Sequence, residues 1–351
     1  MTNALVGNGL FGALFGDAET ARTFGGPAVL GRMLAFETAW TGALRSAGLV
    51  GAAEAQAALD ALAAFDAAGF RAASDADGVP VPSLVTALRA GLSPGAARAI
   101  HTGATSQDVV DTAMVLSCLA VIGDFGARLD RIAAALAELE ARQGGAPLMA
   151  RTRMQAALPA TAALRLGAWR RAVTAQRDRL PSLRADLARV QIGGAIGLRD
   201  LPEGRGEAVA AAVAAALGLA LTPVWHVERS AMVGFGHWLT LVAGTMGKIG
   251  QDVALMAQQG VEEIALAGGG GSSAMPHKAN PILAETMVAL ARHVAGMQGT
   301  LAQAMIHEQE RSGMAWPLEW LTLPAMAECT GAALRHGEAL IGAIRRIGTP
   351  G

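Results

Sequence analysis

The sequence has little charge and almost no cysteine. Aspartate, glutamate, lysine and arginine make up only 16% of its 351 residues, and the formal net charge is -1. Because there is no basic surplus and no arginine-rich tail, a nucleic-acid partner is not expected. The two cysteines, Cys118 and Cys329, fit neither a disulfide framework nor a zinc-binding spacing. We therefore predict buried thiols in a reducing cytoplasm.

The sequence also lacks segments that would direct it to a membrane. The N-terminal stretch MTNALVGNGLFGALFGD is apolar, but it does not begin with the lysine or arginine of a secretory signal. The uncharged stretch at 208–221 is too short and too rich in alanine to span a bilayer. We therefore predict a soluble cytoplasmic protein that makes no membrane contact.

Three stretches carry apolar residues at alternating steps of three and four. They are Val115–Leu139, Phe235–Met256 and Met287–Ala304. An average repeat near 3.5 residues keeps one side of a helix facing a partner helix, as in a long supercoiled bundle. A fourth helix is predicted over 160–190, bent or broken near Pro181.

The bundle helices have thin polar faces. Between 232 and 256 only Lys248 and Asp252 are charged. A helix that is apolar nearly all round has to be covered on more than one side, so we predict an oligomer with one central bundle built from several subunits.

The fold class is predicted to be all α, because no long stretch alternates apolar and polar residues. Residues 1–100 contain shorter helical patterns separated by glycine and proline breaks. We predict that they form a small N-terminal helical domain, and that 101–351 form the long-helix bundle domain.

One glycine-rich stretch, GGGGSSAMPHKANP at 268–281, interrupts the helical pattern. Pro281 favours a helix start at this position, because the fixed φ of proline suits the first turn of a helix. Backbone N–H groups at the start of this third long helix and Lys278 would create an electropositive spot. A serine beside that spot could be stabilised as an alkoxide or could donate its proton to a carbanion. The alternative is a flexible linker between two helices.

Two further stretches place polar side chains near predicted helix starts. IHTGATSQDVVDTAMVL at 100–116 puts hydroxyls ahead of the first long helix, where they suit a carboxylate, although ordinary helix capping is the alternative. ARTRMQAALPAT at 150–161 is predicted to be an irregular segment before a helix. Each stretch alone favours a structural role, but their occurrence together with three bundle helices favours a functional site.

In these three stretches the chain resembles the fumarase/aspartase superfamily. GSSAMPHKANPI is similar to the signature loop of that family, and HTGATSQDVVDT and RTRMQAALP are similar to its other two signature regions. The resemblance runs from about residue 10 to the end of the chain. It implies a homotetramer with a shared helical core, in which three subunits contribute to each active site.

The resemblance also implies roles for individual residues. Ser272 would be the general base or acid at the carbon next to a carboxylate, and Lys278 and Asn280 would hold that carboxylate and stabilise the intermediate. Further substrate-binding residues implied in this way are His101, Thr105, Ser106, Arg151, Thr152, Arg153, Gln155, Ser273 and Met275. No metal or organic cofactor is implied, because backbone dipoles and Lys278 can supply the electrostatics.

One departure from the family pattern indicates which of the family's reactions this sequence fits. Adenylosuccinate lyases have Arg-Thr-His in the second region, where the histidine protonates the leaving group, but this sequence has Arg153. Carboxymuconate cycloisomerases of the family also lack that histidine, and GVPVPSLVTALRAGL at 78–92 resembles their corresponding segment. In a lactonisation the nucleophile, and in reverse the leaving group, is a carboxylate, which needs no proton at neutral pH.

The resemblance therefore implies a carboxymuconate cycloisomerase of protocatechuate breakdown, acting on a small tricarboxylate. Arg153 could bind the third carboxylate, for which a planar guanidinium is suited. A lyase of succinyl adducts, such as adenylosuccinate or argininosuccinate, and a non-catalytic structural homologue are the alternatives. Most family members continue into a third helical domain, which is expected to be absent from this chain.

Overall fold

The computed structural model describes residues 10–268, 270–271 and 279–349. In chain order, helices α1 to α14 are Gly12–Phe15, Ala18–Thr23, Gly26–Ser46, Ala52–Ala63, Ser74–Asp77, Val81–Arg89, Pro94–Ala97, Ser106–Gln143, Ala162–Arg177, Leu180–Leu187, Gly206–Leu217, Ser230–Met256, Ile282–Gln303 and Trp316–Ala343. Strands β1 to β6 are Pro147–Thr152, Gln155–Thr161, Ile264–Leu266, Gly270–Gly271, Ala279–Asn280 and Ile344–Ile347. The all-α fold class is confirmed, and the described residues add three short antiparallel strand pairs to it.

Four long helices, α8, α12, α13 and α14, form the bundle. Helix α12 packs on α13 and α14, and α14 also packs on α8. The three predicted apolar stripes lie in α8, α12 and α13, where for example Leu129, Leu239 and Met287 are completely buried. The predicted bundle helices are therefore confirmed.

The hydrogen bonds at their ends show the directions of these helices. Asp111 near the start of α8 contacts Arg229, just before α12, and Trp316, the first residue of α14. At the other end, the Gln143 side chain accepts a hydrogen bond from Ile347, which follows α14. Helices α8, α12 and α14 thus run in the same direction and α13 runs back. We call the end near Asp111 the Asp111 end. The other end, near Gln143 and the hairpin formed by β1 and β2, is the hairpin end.

The predicted helix over 160–190 forms two helices. α9 ends at Arg177, and α10 begins at Leu180 with Pro181 in its first turn, where the missing N–H of proline costs no hydrogen bond. The break near this proline is confirmed. Helix α14 was not singled out from the sequence, because Pro324 lies inside it and interrupts a helical pattern.

Helix α12 is almost completely covered within one chain. Only Ser230, His237, Gly244 and Lys248 on it are exposed, because α9, α10, α13 and α14 pack around it. Intramolecular packing therefore explains why it carries so little charge. The predicted oligomer, with one central bundle built from several subunits, stays a prediction.

The segment around 150–161 is a β-hairpin and not the predicted irregular segment. Strand β1 pairs antiparallel with β2, from Pro147 opposite Thr161 to Thr152 opposite Gln155. Most residues of both strands are exposed, and in β2 none is buried. Because Leu148 is the single buried residue of the two strands, nothing imposes the alternating pattern by which a strand is recognised in a sequence.

Helix α8 is a core helix. α8 is long and apolar enough to cross a membrane by length and composition, but 72% of its most apolar window is buried inside the chain.

Of the two predicted buried thiols, Cys118 in α8 is buried and Cys329 is half-buried. Burial raises the pKa of Cys118 far above its usual value and that of Cys329 to about 11, so both stay protonated. Helix α3 packs on α8 and α11, and the domain boundary at residue 100 stays a prediction.

Candidate functional site

The first candidate site lies at the start of α8. Thr105 is the N-cap residue of this helix, and its backbone N–H donates to the Asp108 carboxylate over 3.1 Å. His101, Thr105 and Ser106 are all half-buried, so each keeps an accessible surface. The capping alternative therefore holds for Thr105, while the helix start also keeps the N-terminal N–H groups and hydroxyls that suit a carboxylate.

Asp108 holds this helix start in place. Its fully buried carboxylate accepts hydrogen bonds from the backbone of Gly193 at 2.8 Å and of Gly194 at 3.0 Å, and His226 Nε2 lies 2.9 Å away. Gly194 has φ +65°, a conformation that favours glycine. Asp108 thus joins the helix start to the turn at 193–197 (GGAIG), and both of its oxygens are engaged.

A buried ionic network lies one turn further along α8. Arg229 donates to Asp111 at 2.8 Å and 3.1 Å and to Glu319 at 2.7 Å and 2.5 Å, and all three side chains are at most 1% exposed. The other groups that donate hydrogen bonds to Asp111 are Gln107, Gln191 and Trp316. This network fixes the relative positions of α8, α12 and α14.

The two carboxylates of this network differ in their acidity. Burial would raise the pKa of Asp111, but the Arg229 guanidinium outweighs burial and holds the pKa below its usual value. Burial raises the pKa of Glu319, and the nearby Asp111 charge adds to that effect against the attraction of Arg229. Sequence analysis did not assign these residues. A charged residue within an otherwise apolar helical pattern, such as Asp111 in α8 or Glu319 in α14, was the signal that could have indicated a buried ionic network.

The hairpin carries the second group of candidate residues. Arg151, Thr152, Arg153 and Gln155 are all exposed. Arg151 forms an ion pair with Glu263, a buried carboxylate that also lies 3.4 Å from Arg165. Because Glu263 comes directly before β3, it joins the hairpin to the strand that leads toward the glycine-rich stretch.

Arg153 lies at the tip of the hairpin. It forms a two-residue turn with Met154, and both residues have positive φ, +50° and +68°. Turns of this kind usually contain asparagine or glycine, because other side chains are strained there. The Arg153 side chain is thus exposed at a strained turn.

The third group of candidate residues belongs to the glycine-rich stretch. Ser272, Ser273, Met275 and Lys278 lie outside the described residues. Asn280 is described: it is half-buried and pairs with Gly270, and Ala279 pairs with Gly271. A cavity of about 360 Å³ adjoins this strand pair, lined among others by Leu266, Gly268, Asn280, Ile282 and Leu340.

Within one chain, the described residues of the three groups do not come together. Arg151 and the strands that flank the glycine-rich stretch meet at the hairpin end, through Glu263. His101, Thr105 and Ser106 lie at the Asp111 end, and α8 with its 38 residues separates the two ends by about 57 Å. Among residues 10–268, 270–271 and 279–349, no cluster of acidic, histidine and cysteine side chains could hold a metal ion.

Comparisons with known proteins agree with this architecture. The profile of a family described as a lyase matches residues 26–296. The chain is 38% identical to 3-carboxy-cis,cis-muconate cycloisomerase from Pseudomonas aeruginosa, covering 95% of this chain and 75% of that protein. It is 34% identical to nitrosuccinate lyase from Streptomyces davaonensis, covering 96% and 75%.

A solved structure shows the same fold. The crystal structure of 3-carboxy-cis,cis-muconate lactonizing enzyme from Pseudomonas putida superposes with a TM-score of 0.88 and 34% identity, over 96% of this chain and 77% of that one. The same family is indicated by the helical bundle, by the three signature stretches and by the profile match over most of the chain. The chain belongs to this lyase family, the fumarase/aspartase superfamily.

Proposed function

We propose that this protein is a cycloisomerase that interconverts 3-carboxy-cis,cis-muconate and carboxymuconolactone in the cytoplasm, in the breakdown of protocatechuate. The observation that carries the proposal is the identity of 33–38% with three proteins named 3-carboxy-cis,cis-muconate cycloisomerase, over 93–95% of this chain. The residues of the candidate site fit this reaction, because they offer several places for carboxylates and no histidine at the position of Arg153.

In the proposed reaction one substrate carboxylate adds across a double bond and forms the C–O bond of the lactone. The electron pair of the double bond then lies on the carbon next to another carboxylate, as an aci-carboxylate. Ser272 donates a proton to that carbon, and in the reverse direction it removes the proton. Lys278 and Asn280 stabilise the negative charge that develops on this carboxylate. The expelled group in the reverse reaction is a carboxylate and needs no acid.

A lyase that eliminates a group from a succinate derivative is the second candidate. The identity of 34% with a nitrosuccinate lyase over nearly the same length supports it. An absorbance assay separates the candidates: the protein is incubated with 3-carboxy-cis,cis-muconate, nitrosuccinate, adenylosuccinate and argininosuccinate in parallel. Turnover of carboxymuconate alone supports the cycloisomerase. Formation of fumarate from one of the three succinate derivatives, without conversion of 3-carboxy-cis,cis-muconate, would contradict the cycloisomerase and support the lyase.

We further propose that the active protein is a homotetramer with shared sites. The support is the separation within one chain of Thr105 and Ser106 from the hairpin and the glycine-rich stretch, by about 57 Å along α8. A site that uses all three groups is complete only when copies of the chain place opposite ends side by side. Light scattering should therefore give about four times the chain mass of 35.6 kDa.

Subunit mixing tests the shared site directly. Ser106→Ala and Ser272→Ala should each be nearly inactive alone, while a mixture that is dissociated and reassembled should regain a measurable fraction of the wild-type rate. The physical reason is that some sites in the mixed oligomer receive both intact segments from different chains. A mixture of Ser272→Ala with Lys278→Ala is the control, because both changes affect the same segment. A single-chain mass, or no recovery in the first mixture, would contradict the proposal.

Arg153→Met should raise KM for 3-carboxy-cis,cis-muconate about ten- to hundredfold, since one charge-assisted pair with a carboxylate is lost. The turnover number should change less, because a carboxylate remote from the reacting carbon is held similarly in ground and transition states. Steady-state kinetics measure both constants. Arg170→Met is the matched control, since Arg170 pairs with Glu140 on the surface. An unchanged KM in Arg153→Met would rule out the binding role.

A further inference from the structure

A buried carboxylate contacts His101 from the neighbouring helix. Glu37 lies in α3 and is completely buried, and its Oε1 is 2.6 Å from Nδ1 of His101. Within the described part of the chain, the second oxygen, Oε2, has no hydrogen-bond partner. The His101 side chain is 14% exposed. A buried carboxylate whose partner is a half-buried histidine is an arrangement that orients an imidazole in many active sites.

The backbone around His101 is held in a strained conformation. His101 has φ +60°, which is rare for a residue with a side chain. Trp40 Nε1 donates to the carbonyl of Thr102 at 3.1 Å, and Thr41 Oγ1 donates to the carbonyl of Ala99 at 2.9 Å. Such strain persists only where the surrounding structure imposes it, and it is concentrated at functional sites.

We propose that Glu37 is a positioning residue that makes His101 a donor to one substrate carboxylate at the start of α8. This inference rests on the cycloisomerase function proposed above. With Nδ1 bound to Glu37, the nitrogen left to meet substrate is Nε2, for which the described residues offer no partner. When the substrate carboxylate binds, the Nε2–H group donates a hydrogen bond to it, while the hydrogen bond between Nδ1 and Glu37 holds the ring in place.

The other charged groups near His101 are already engaged. From α6, Arg89 donates to the carbonyl of Ile100 at 2.6 Å and lies 3.5 Å from the Thr102 hydroxyl. From α8, Asp108 accepts hydrogen bonds from backbone N–H groups and contacts His226. Glu37 is therefore the carboxylate that acts on His101. No local sequence pattern indicates this pairing, because 64 residues separate the two.

The test is a double-mutant cycle on turnover of 3-carboxy-cis,cis-muconate. Glu37→Gln keeps the shape of the side chain and removes its charge. We expect it to raise KM about tenfold and to change kcat by less than about threefold, as for loss of uniform binding. His101→Gln should raise KM at least as much. If Glu37 acts through His101, the double variant should be no worse than His101→Gln alone.

Thr41→Val is the matched control. Thr41 lies one helical turn after Glu37 and holds the same segment through the carbonyl of Ala99, whereas the hydrogen bond to the imidazole comes from Glu37. Thr41→Val should leave KM unchanged. The proposal is overturned if Thr41→Val raises KM as much as Glu37→Gln, since Glu37 would then only hold the segment. It is also overturned if the effects of Glu37→Gln and His101→Gln add.

Two measurements without turnover separate this proposal from the proposed function. A downfield proton resonance from Nδ1 of His101 should be present in the wild type, lost in His101→Gln and shifted upfield in Glu37→Gln. Its absence from the wild type would overturn the proposal. Calorimetry with tricarballylate, a non-reacting tricarboxylate, should show about tenfold weaker binding to Glu37→Gln. If carboxymuconate is not converted but tricarballylate binding weakens in this way, the cycloisomerase function fails and the role of Glu37 stands. Equal tricarballylate binding overturns that role.

Discussion

Ser272→Ala should lower the turnover number for 3-carboxy-cis,cis-muconate about a hundredfold or more, the usual loss when a positioned acid or base is removed. Without the hydroxyl no group at that position can donate a proton to the carbanion, while Lys278 and Asn280 can still hold the substrate carboxylate. KM should therefore change much less than kcat. Steady-state kinetics, with light scattering to check that the assembly mass is unchanged, measure this result.

Ser273→Ala is the control for this prediction, because it removes the neighbouring hydroxyl and leaves the proposed acid in place. It should affect KM more than kcat, as expected for a substrate-binding group. Near-normal turnover by Ser272→Ala would remove Ser272 from the catalytic role. A collapse in turnover by Ser273→Ala alone would move that role to the second serine.

Arg229→Met should lower the free energy of unfolding by about 3–5 kcal/mol, because it leaves two buried carboxylates without their cation. Asp111 and Glu319 are each 1% exposed and both contact this guanidinium. Removing it exposes the two like charges to each other in a medium that screens them weakly. Urea denaturation followed by circular dichroism measures the change.

Two further variants make the stability prediction specific. Arg131→Met breaks an ion pair with Glu338 in which the two side chains are 58% and 32% exposed, and it should cost less than about 1 kcal/mol. Arg229→Lys keeps the charge but loses the paired N–H donors, so it should fall between the two and stays measurable if Arg229→Met does not fold. Equal stability of Arg229→Met and Arg131→Met would show that the buried network contributes no more to the free energy of unfolding than an exposed ion pair does.

The helices were predictable because their signal is local. The stripes in α8, α12 and α13 and the break near Pro181 follow from residues three or four positions apart. The hairpin from Pro147 to Thr161 was missed for the opposite reason: its strands are mostly exposed, and its turn at Arg153 and Met154 lacks the residues that usually mark one.

The candidate residues were found through motifs, but their partners were not. Thr105, Ser106 and the hairpin residues lie within stretches that resemble family signatures. Glu263, 112 residues from Arg151, and Glu37, 64 residues from His101, are joined to the candidate residues only by the packing of distant segments. A single sequence has no local pattern that records such a pairing.

The sequence by itself determined the helical bundle, the family and the kinds of side chain available for chemistry, because each depends on periodicity or on a contiguous motif. The tertiary structure decided that these side chains lie at two opposite ends of one chain. That arrangement depends on the length of α8 and on the parallel course of α8, α12 and α14, which hold the start of α8 and the hairpin about 57 Å apart. It also decided which buried carboxylates, Glu37 and Glu263, contact the candidate residues, since those contacts form only when distant helices pack together.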